Sequence, residues 1–309
     1  MSKNLKISVS PHIHSGASTM GIMLDVIIAL LPTTIAGAII FGLRSILVVA
    51  VCIASCVIFE ALFNLLLKKD QTVSDLSAVV TGLLLGLNLS ASIEIWQCVV
   101  GSFIAIIIVK CLFGGIGCNL VNPAITARVF MLVSFGSMTK VASPIIVDAV
   151  SGATPLSSEE ISQPIMELVL GLKGGAIGET CVAALILGFV YLLIRRVITW
   201  HVPVTFIGTV YLCSFFMEGL DPVKALAMIV SGGLFIGAIF MATDYVTSPS
   251  TAWGKVVFGI GAGLLTFVIR YFGVYPEGVS FAILFMNILT PYIDSWTKHK
   301  VLLVGGKKA

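Results

Sequence analysis

The chain has 309 residues; A, V, I, L, M, F, W, Y and C make up 58% of it and D, E, K and R only 11%. A soluble domain carries roughly 25% charged residues, so a mean hydropathy of +1.10 excludes a soluble globular class and points to an integral membrane protein. The net charge of +3 is spread over segment ends and marks no nucleic-acid binder.

The first 19 residues are polar and contain no apolar stretch ahead of a cleavage site, so no cleavable signal peptide is expected. Ten hydrophobic segments follow, at 22–42, 45–67, 75–89, 95–113, 123–135, 178–197, 202–217, 223–242, 255–272 and 279–296. They do not alternate with a period of two, which predicts helices. A bilayer core of ~30 Å takes about 20 apolar residues per helix, and the third and fifth segments fall short of that. Lys3, Lys6, Lys68, Lys69, Lys110, Arg195, Arg196 and the lysines after residue 297 collect on one side if the N-terminus is cytoplasmic. Arg44, Lys140, Lys173, Lys224 and Arg270 fall on the other. The bias predicts ten spans with both termini in the cytoplasm of a prokaryotic cell, in its plasma or inner membrane.

The sequence resembles itself at an offset of about half its length. Residues 81–87, TGLLLGL, parallel 232–238, GGLFIGA; residues 127–131, ARVFM, parallel 282–286, AILFM. Five helices per half would leave the halves inverted in the membrane, and inverted repeats with short or broken helices place sites at the repeat interface. The expected architecture is therefore all-α. A cytoplasmic tail spans 1–21, a first five-helix repeat 22–135 and an extracytoplasmic loop 136–177. A second repeat spans 178–296, and a cytoplasmic tail 297–309.

The seven cysteines have no spacing of a metal or cluster set and are read as small buried apolar residues. The glycines at 114, 115 and 117, and at 259, 261 and 263, do not form a dinucleotide fingerprint. Asp25, Glu60, Lys110, Arg128, Asp244 and Arg270 lie in or near apolar segments, where ionisable groups are costly and face a polar interior. Arg128, six residues after Asn122, is the best candidate for a buried role toward a cofactor. Asp244 reads as a turn or cap residue.

The loop 136–177 contains Asp148-Ala149-Val150-Ser151-Gly152-Ala153-Thr154-Pro155. This stretch resembles the flavinylation motif D-x-x-S-G-A-T, in which a flavin transferase joins FMN to the threonine hydroxyl through a phosphoester. Gly152 and Ala153 leave room at the backbone for the transferase and the cofactor. Ser15-Gly16-Ala17-Ser18 has a similar shape, but His12 stands in the place of the aspartate and the acceptor would be a serine; it is read as part of the tail.

Longer stretches extend this resemblance from end to end. They are Ser10-Pro11-His12, Ile22-Met23 and Ala29-Leu30-Leu31-Pro32; Gly117 to Ala124; Met241-Ala242-Thr243-Asp244 with Thr247-Ser248-Pro249; and Glu277 to Ala282 with Met286-Asn287 and Pro291. The chain is similar to the NqrB/RnfD family of membrane redox subunits. It lies on the RnfD side, because the N-terminal extension of the NqrB type is absent. The resemblance implies covalent FMN on Thr154, with Asp148, Ser151, Gly152 and Ala153 as its motif and Asn122 and Arg128 as cofactor neighbours. It leaves room for a second, non-covalent flavin such as riboflavin. It implies flavoprotein, iron–sulfur and NAD-binding subunits as partners, a flavin transferase, and electron flow coupled to Na⁺ or H⁺. An NqrB-like role in a sodium-pumping NADH:quinone oxidoreductase is the near alternative. A urea-transporter-like channel is the alternative from a different class.

Overall fold

A computed structural model describes residues 18–136, 142, 144, 165–171, 173–273 and 278–305. Apart from one isolated bridge between Ala142 and Gly175, every regular element among them is helical. The motif at 148–155, with Asp148, Ser151, Gly152, Ala153 and Thr154, lies outside the described residues, as does most of the loop 136–177.

Helix α1 (Thr19–Phe41) starts on Ser18, whose hydroxyl accepts from Gly21 N at 3.1 Å. The serine of the decoy motif is thus an N-cap. Gly42, at φ 73°, turns the chain directly into α2 (Leu43–Leu66). Its buried stripe of Val48, Val49, Cys52, Cys56, Glu60 and Asn64 recurs at helical spacing, so one face packs inward while the other meets lipid. Helix α3 (Ser77–Leu87) lies against that stripe. A Cβ on Gly82 would stand 2.7 Å from Ile53 Cα, a backbone approach only a small residue permits. Helix α4 (Ile95–Phe103) continues through Cys111 with i→i+5 bonding, as in Leu112 N to Ile107 O at 3.0 Å. Helix α5 (Pro123–Ser134) is capped by Asn122 and has proline in its first turn, where the missing N–H costs nothing.

The second half runs through α6 (Ile165–Leu170), α7 (Val182–Ile194) and α8 (His201–Met217). Then come α9 (Pro222–Val230), α10 (Leu234–Ile236, continuing in i→i+5 turns to Met241), α11 (Ala252–Phe272) and α12 (Val279–Gly305). The core joins both halves: α1 packs on α7 and α5 on α12.

Helices α1, α2 and α11 are long and apolar enough to cross a membrane alone, and α9 with α10 forms a further candidate bent by 67°. The exposed side chains include Ile35, Ile39, Leu43, Leu66, Leu187, Phe216 and Phe272, as expected where lipid rather than water is the solvent. The chain is an all-helical, multi-pass membrane protein.

Two elements depart from the sequence reading. The eighth segment, 223–242, is not one helix. Ser231-Gly232-Gly233 interrupts it, with Gly232 at φ 74°, a conformation open to glycine and costly for other residues. The tenth does not stop at 296. Helix α12 passes Pro291 and runs on to Gly305.

Candidate functional site

A 380 Å³ cavity opens between the two halves. The start of α1 supplies Ile22, Met23 and Val26. Helix α3 supplies Ser77, Val80, Thr81 and Leu84, and the end of the i→i+5 turns supplies Lys110. The glycine-rich loop and the start of α5 add Asn119, Asn122 and Pro123. From the second half come Leu192, Val197, Phe240 and residues 243–246. The walls are largely apolar with a few convergent polar groups, in the size range of a small-molecule site. Asn119 Oδ1 is buried on this wall and makes no hydrogen bond among the described residues. Such an orphan is costly unless a ligand or water meets it.

Asn122 binds the halves together behind that wall. Its Oδ1 accepts from Ala124 N and Ile125 N at 3.0 and 3.3 Å, while its Nδ2 donates to Met241 O at 3.3 Å. With the Asn287 amide of α12 turned so that its oxygen faces Asn122, that oxygen accepts from Asn122 N at 3.1 Å and its nitrogen donates to Ile283 O and Thr247 O. A half-helix N-terminus, a half-helix C-terminus and a buried amide therefore meet where the sequence repeat meets.

Arg128 does not line the cavity. It lies two turns along α5, about 9 Å deeper at 1.5 Å per residue, and only 5% exposed. Its Nη1 donates to Asn88 Oδ1 at 2.6 Å, and its Nη2 stands 3.7 Å from Glu179 Oε2. Asn88 in turn donates to Leu84 O and to the Met241 sulfur. Glu179 Oε1 accepts from Ala176 N at 2.8 Å, and Ile177 N and Gly178 N donate to Leu89 O and Leu87 O. The segment after Lys173 thus closes the C-terminal carbonyls of α3, which are otherwise orphaned. The structure separates Asn122 from Arg128, placing the first at the cavity and the second against Asn88 and Glu179.

Glu60 and Lys110 form a second buried pair, each side chain 3% exposed. Lys110 Nζ donates to Glu60 Oε1 and Oε2 at 2.9 and 2.8 Å and to Ser77 Oγ at 2.6 Å. Asp25, 7% exposed on α1, accepts from Tyr191 and Arg195 of α7 at 2.9 and 3.2 Å. Asp244 sits in a turn: its Oδ2 accepts from Thr247 Oγ1, and its carbonyl accepts from Ser248 N. Burial pushes its carboxyl up, against the hydrogen bonds from Thr247 and the turn's backbone.

At the break between α9 and α10, Lys173 donates to Val230 O, and Arg270 donates to Met228 O and Ser231 O. Two cations thus cap the negative end of α9. Burial pulls Lys173 down from an ordinary 10.5 to about 8; Glu179 opposes the shift and Arg270 adds to it. Between those two values the unfolded chain holds more protons than the folded one, so this group makes stability rise with pH from about 8 to 10.5. The gain is at most about 3 kcal/mol. Thermal unfolding at stepped pH should show that rise, and it should disappear in Lys173→Met.

The sequence pointed to Asn122, Arg128, Glu60, Lys110 and Asp244 but did not pair Glu60 with Lys110, nor Arg128 with Asn88 and Glu179. Lys173 and Glu179 stand beside glycines in a polar loop and read as solvated, and Asn88, at the end of the third apolar segment, reads as a helix-end residue. Glycine at 174, 175 and 178 around Glu179 was the only signal of a tight approach.

Comparison with known proteins identifies the family of the chain. Residues 6–302 match the NQR2, RnfD, RnfE family. The chain is 46% identical over 306 residues to the D subunit of the Na(+)-translocating ferredoxin:NAD(+) oxidoreductase complex of Acetobacterium woodii, covering 96% of this chain and 95% of that one. It is 39% identical over 314 residues to the D subunit of the proton-translocating ferredoxin:NAD(+) oxidoreductase complex of Clostridium ljungdahlii, covering 94% of each. To the D subunit of the ion-translocating oxidoreductase complex of Stutzerimonas stutzeri it is 38% identical, covering 88% and 89%. With the match running the length of the chain and these three relatives all D subunits, the chain belongs to the NQR2, RnfD, RnfE family, among its RnfD members.

Proposed function

We propose that this chain is the membrane subunit of an ion-translocating ferredoxin:NAD⁺ oxidoreductase complex and carries FMN as a phosphoester on Thr154. The observation that carries the reading is the Asp148 to Thr154 motif in a chain similar over its whole length to D subunits of such complexes. A tethered flavin needs no deep pocket of its own, only a small-residue backbone such as Gly152 and Ala153 provide. Trypsin should release residues 141–173 as one peptide. Its mass should exceed the sequence value by one esterified FMN, and an unmodified peptide would sink the assignment.

The cavity is the second cofactor site of this reading, for a non-covalent flavin such as riboflavin. The fit rests on its volume, its apolar walls and the orphaned Asn119 oxygen. When bound, the ring supplies one- or two-electron chemistry. The chain would hold it with the unmatched amide oxygen of Asn119, with the remaining amide N–H of Asn122, and with the apolar wall residues Val80, Leu84 and Phe240. Electrons pass from neighbouring flavoprotein and iron–sulfur subunits, and their flow is coupled to Na⁺ or H⁺. Moving one charge against 100 mV costs about 2.3 kcal/mol, which a modest redox drop covers.

The membrane arrangement of this reading is ten spans with both termini cytoplasmic, as two inverted five-helix repeats. The charge placement supports the repeat. Glu218 at the end of α8 and Arg270 on α11 stand in the second half where Glu60 on α2 and Lys110 on α4 stand in the first. A cysteine placed at Ser158 should react with an impermeant maleimide from outside, and one at Gly305 should not. Labelling of both from the same side refutes the arrangement.

A further inference from the structure

The Glu60–Lys110 pair is built unlike an ion pair that merely joins two helices. A closed pair satisfies itself, whereas this one is open at both ends. At one end, exposed Thr72 donates from Oγ1 to Glu60 Oε1 at 2.7 Å, and Asn64 Nδ2 donates to Thr72 at 3.0 Å. At the other, Lys110 and Ser77 both form part of the cavity wall. Every atom between is in hydrogen-bond contact with the next: Thr72 Oγ1, Glu60, Lys110 Nζ and Ser77 Oγ. The same elements supply a dry apolar cluster of Cys56, Ala78, Ile106 and Cys111. Asp75, which accepts from Ser77 N and Oγ, and Lys69, near enough to act on Cys111, are the neighbouring charges. Lys110 owes its position to the widened i→i+5 turns of α4, a distortion that proteins keep mostly at functional sites.

We propose that Thr72, Glu60 and Lys110 form a proton relay from the protein surface to the cavity, serving the flavin ring bound there; the inference rests on the reading of the cavity given above. Reduction of the ring by two electrons, drawn from reduced iron–sulfur or flavin centres of neighbouring subunits, consumes one proton. With a ring bound there, the Nζ–H bond of Lys110 would break as the Ser77 hydroxyl, which lines the cavity, takes that proton and passes its own on to the ring, leaving a neutral amine. The amine regains its proton from the Glu60 carboxyl group, which has taken one from water through the Thr72 hydroxyl. Charge and proton count are restored after each turnover, and no bulk water enters the site.

The test uses the full chain with Thr154→Val, so that the only flavin is riboflavin added to the cavity. Binding is read by quenching of riboflavin fluorescence. Proton uptake is read with a pH-indicator dye in a stopped-flow cell while the flavin is reduced by reduced methyl viologen, which gives electrons without releasing protons. Glu60→Gln with Lys110→Met keeps a neutral, space-filling pair. It should slow proton uptake on the order of 100-fold, the size of a lost general acid, without changing the number of protons taken up at equilibrium. Thr72→Val, at an exposed position that leaves the pair intact, should slow it on the order of 10-fold. If the double variant does not accumulate, Thr72→Val decides alone. Riboflavin bound with unchanged uptake rates overturns the relay and leaves the cavity reading standing. No riboflavin binding to the parent chain overturns the cavity reading, and the relay with it.

Discussion

Thr154→Val is expected to abolish covalent flavin: the protein should vanish from an ultraviolet-illuminated denaturing gel while its stained band stays at full strength. Valine keeps the branched shape of threonine and removes only the acceptor oxygen, so the change is chemical rather than steric. In sequence the residue falls in the polar stretch between the fifth and sixth apolar segments. Insertion and folding should therefore be unaffected. Asp148→Ala should lower flavin incorporation without ending it, since the acidic residue belongs to what the transferase reads. Ser18→Ala tests the decoy. It should leave flavin content untouched and cost only the N-cap of α1, about 1 kcal/mol. Full covalent flavin on Thr154→Val would place the attachment elsewhere and end the central assignment.

The largest loss of stability should come from Lys110→Met. It leaves the Glu60 carboxylate, 3% exposed, without its cation and facing only the Thr72 hydroxyl. Removing one partner of a buried pair costs about 3–5 kcal/mol, enough to clear most of the protein from the membrane when total stability is about 5–15 kcal/mol. Adding Glu60→Gln should recover most of that loss, because the glutamine amide is neutral and still accepts from Thr72. A buried pair replaced by neutral side chains of similar volume is often no less stable. The measurement is detergent-solubilised yield and thermal unfolding of the two single variants and the double. Additive losses would mean that the pair seen at 2.8 Å does not act as a unit.

The amino-acid sequence by itself determined the solvent this protein folds in. Segments such as 22–42 and 45–67 have too few polar groups to face water, and their backbones can be satisfied in lipid only as helices. Short range also settled local punctuation: Asn122-Pro123 opens α5 and Asp221-Pro222 opens α9, because a side-chain acceptor and a missing N–H both suit a helix start. The Asp148 to Thr154 stretch can be read as a flavin-attachment motif because the resemblance lies in a short peptide. Its meaning needs no fold.

What only the tertiary structure decided is which polar groups share a partner. Glu60 and Lys110 are 50 residues apart, and Asn88 meets Met241 across 153; no local pattern encodes either approach. Arg128 and Asn122 are neighbours in sequence, yet one reaches Glu179 and the other the cavity, since each residue along α5 rotates and rises past a different neighbour. The break at Ser231-Gly232-Gly233 is written in residues that membrane helices also tolerate unbroken. It opens here because Lys173 and Arg270 are on hand to take up the carbonyls it frees. In a membrane interior a polar group must find its partner inside the protein, and that pairing is a property of the packed helices.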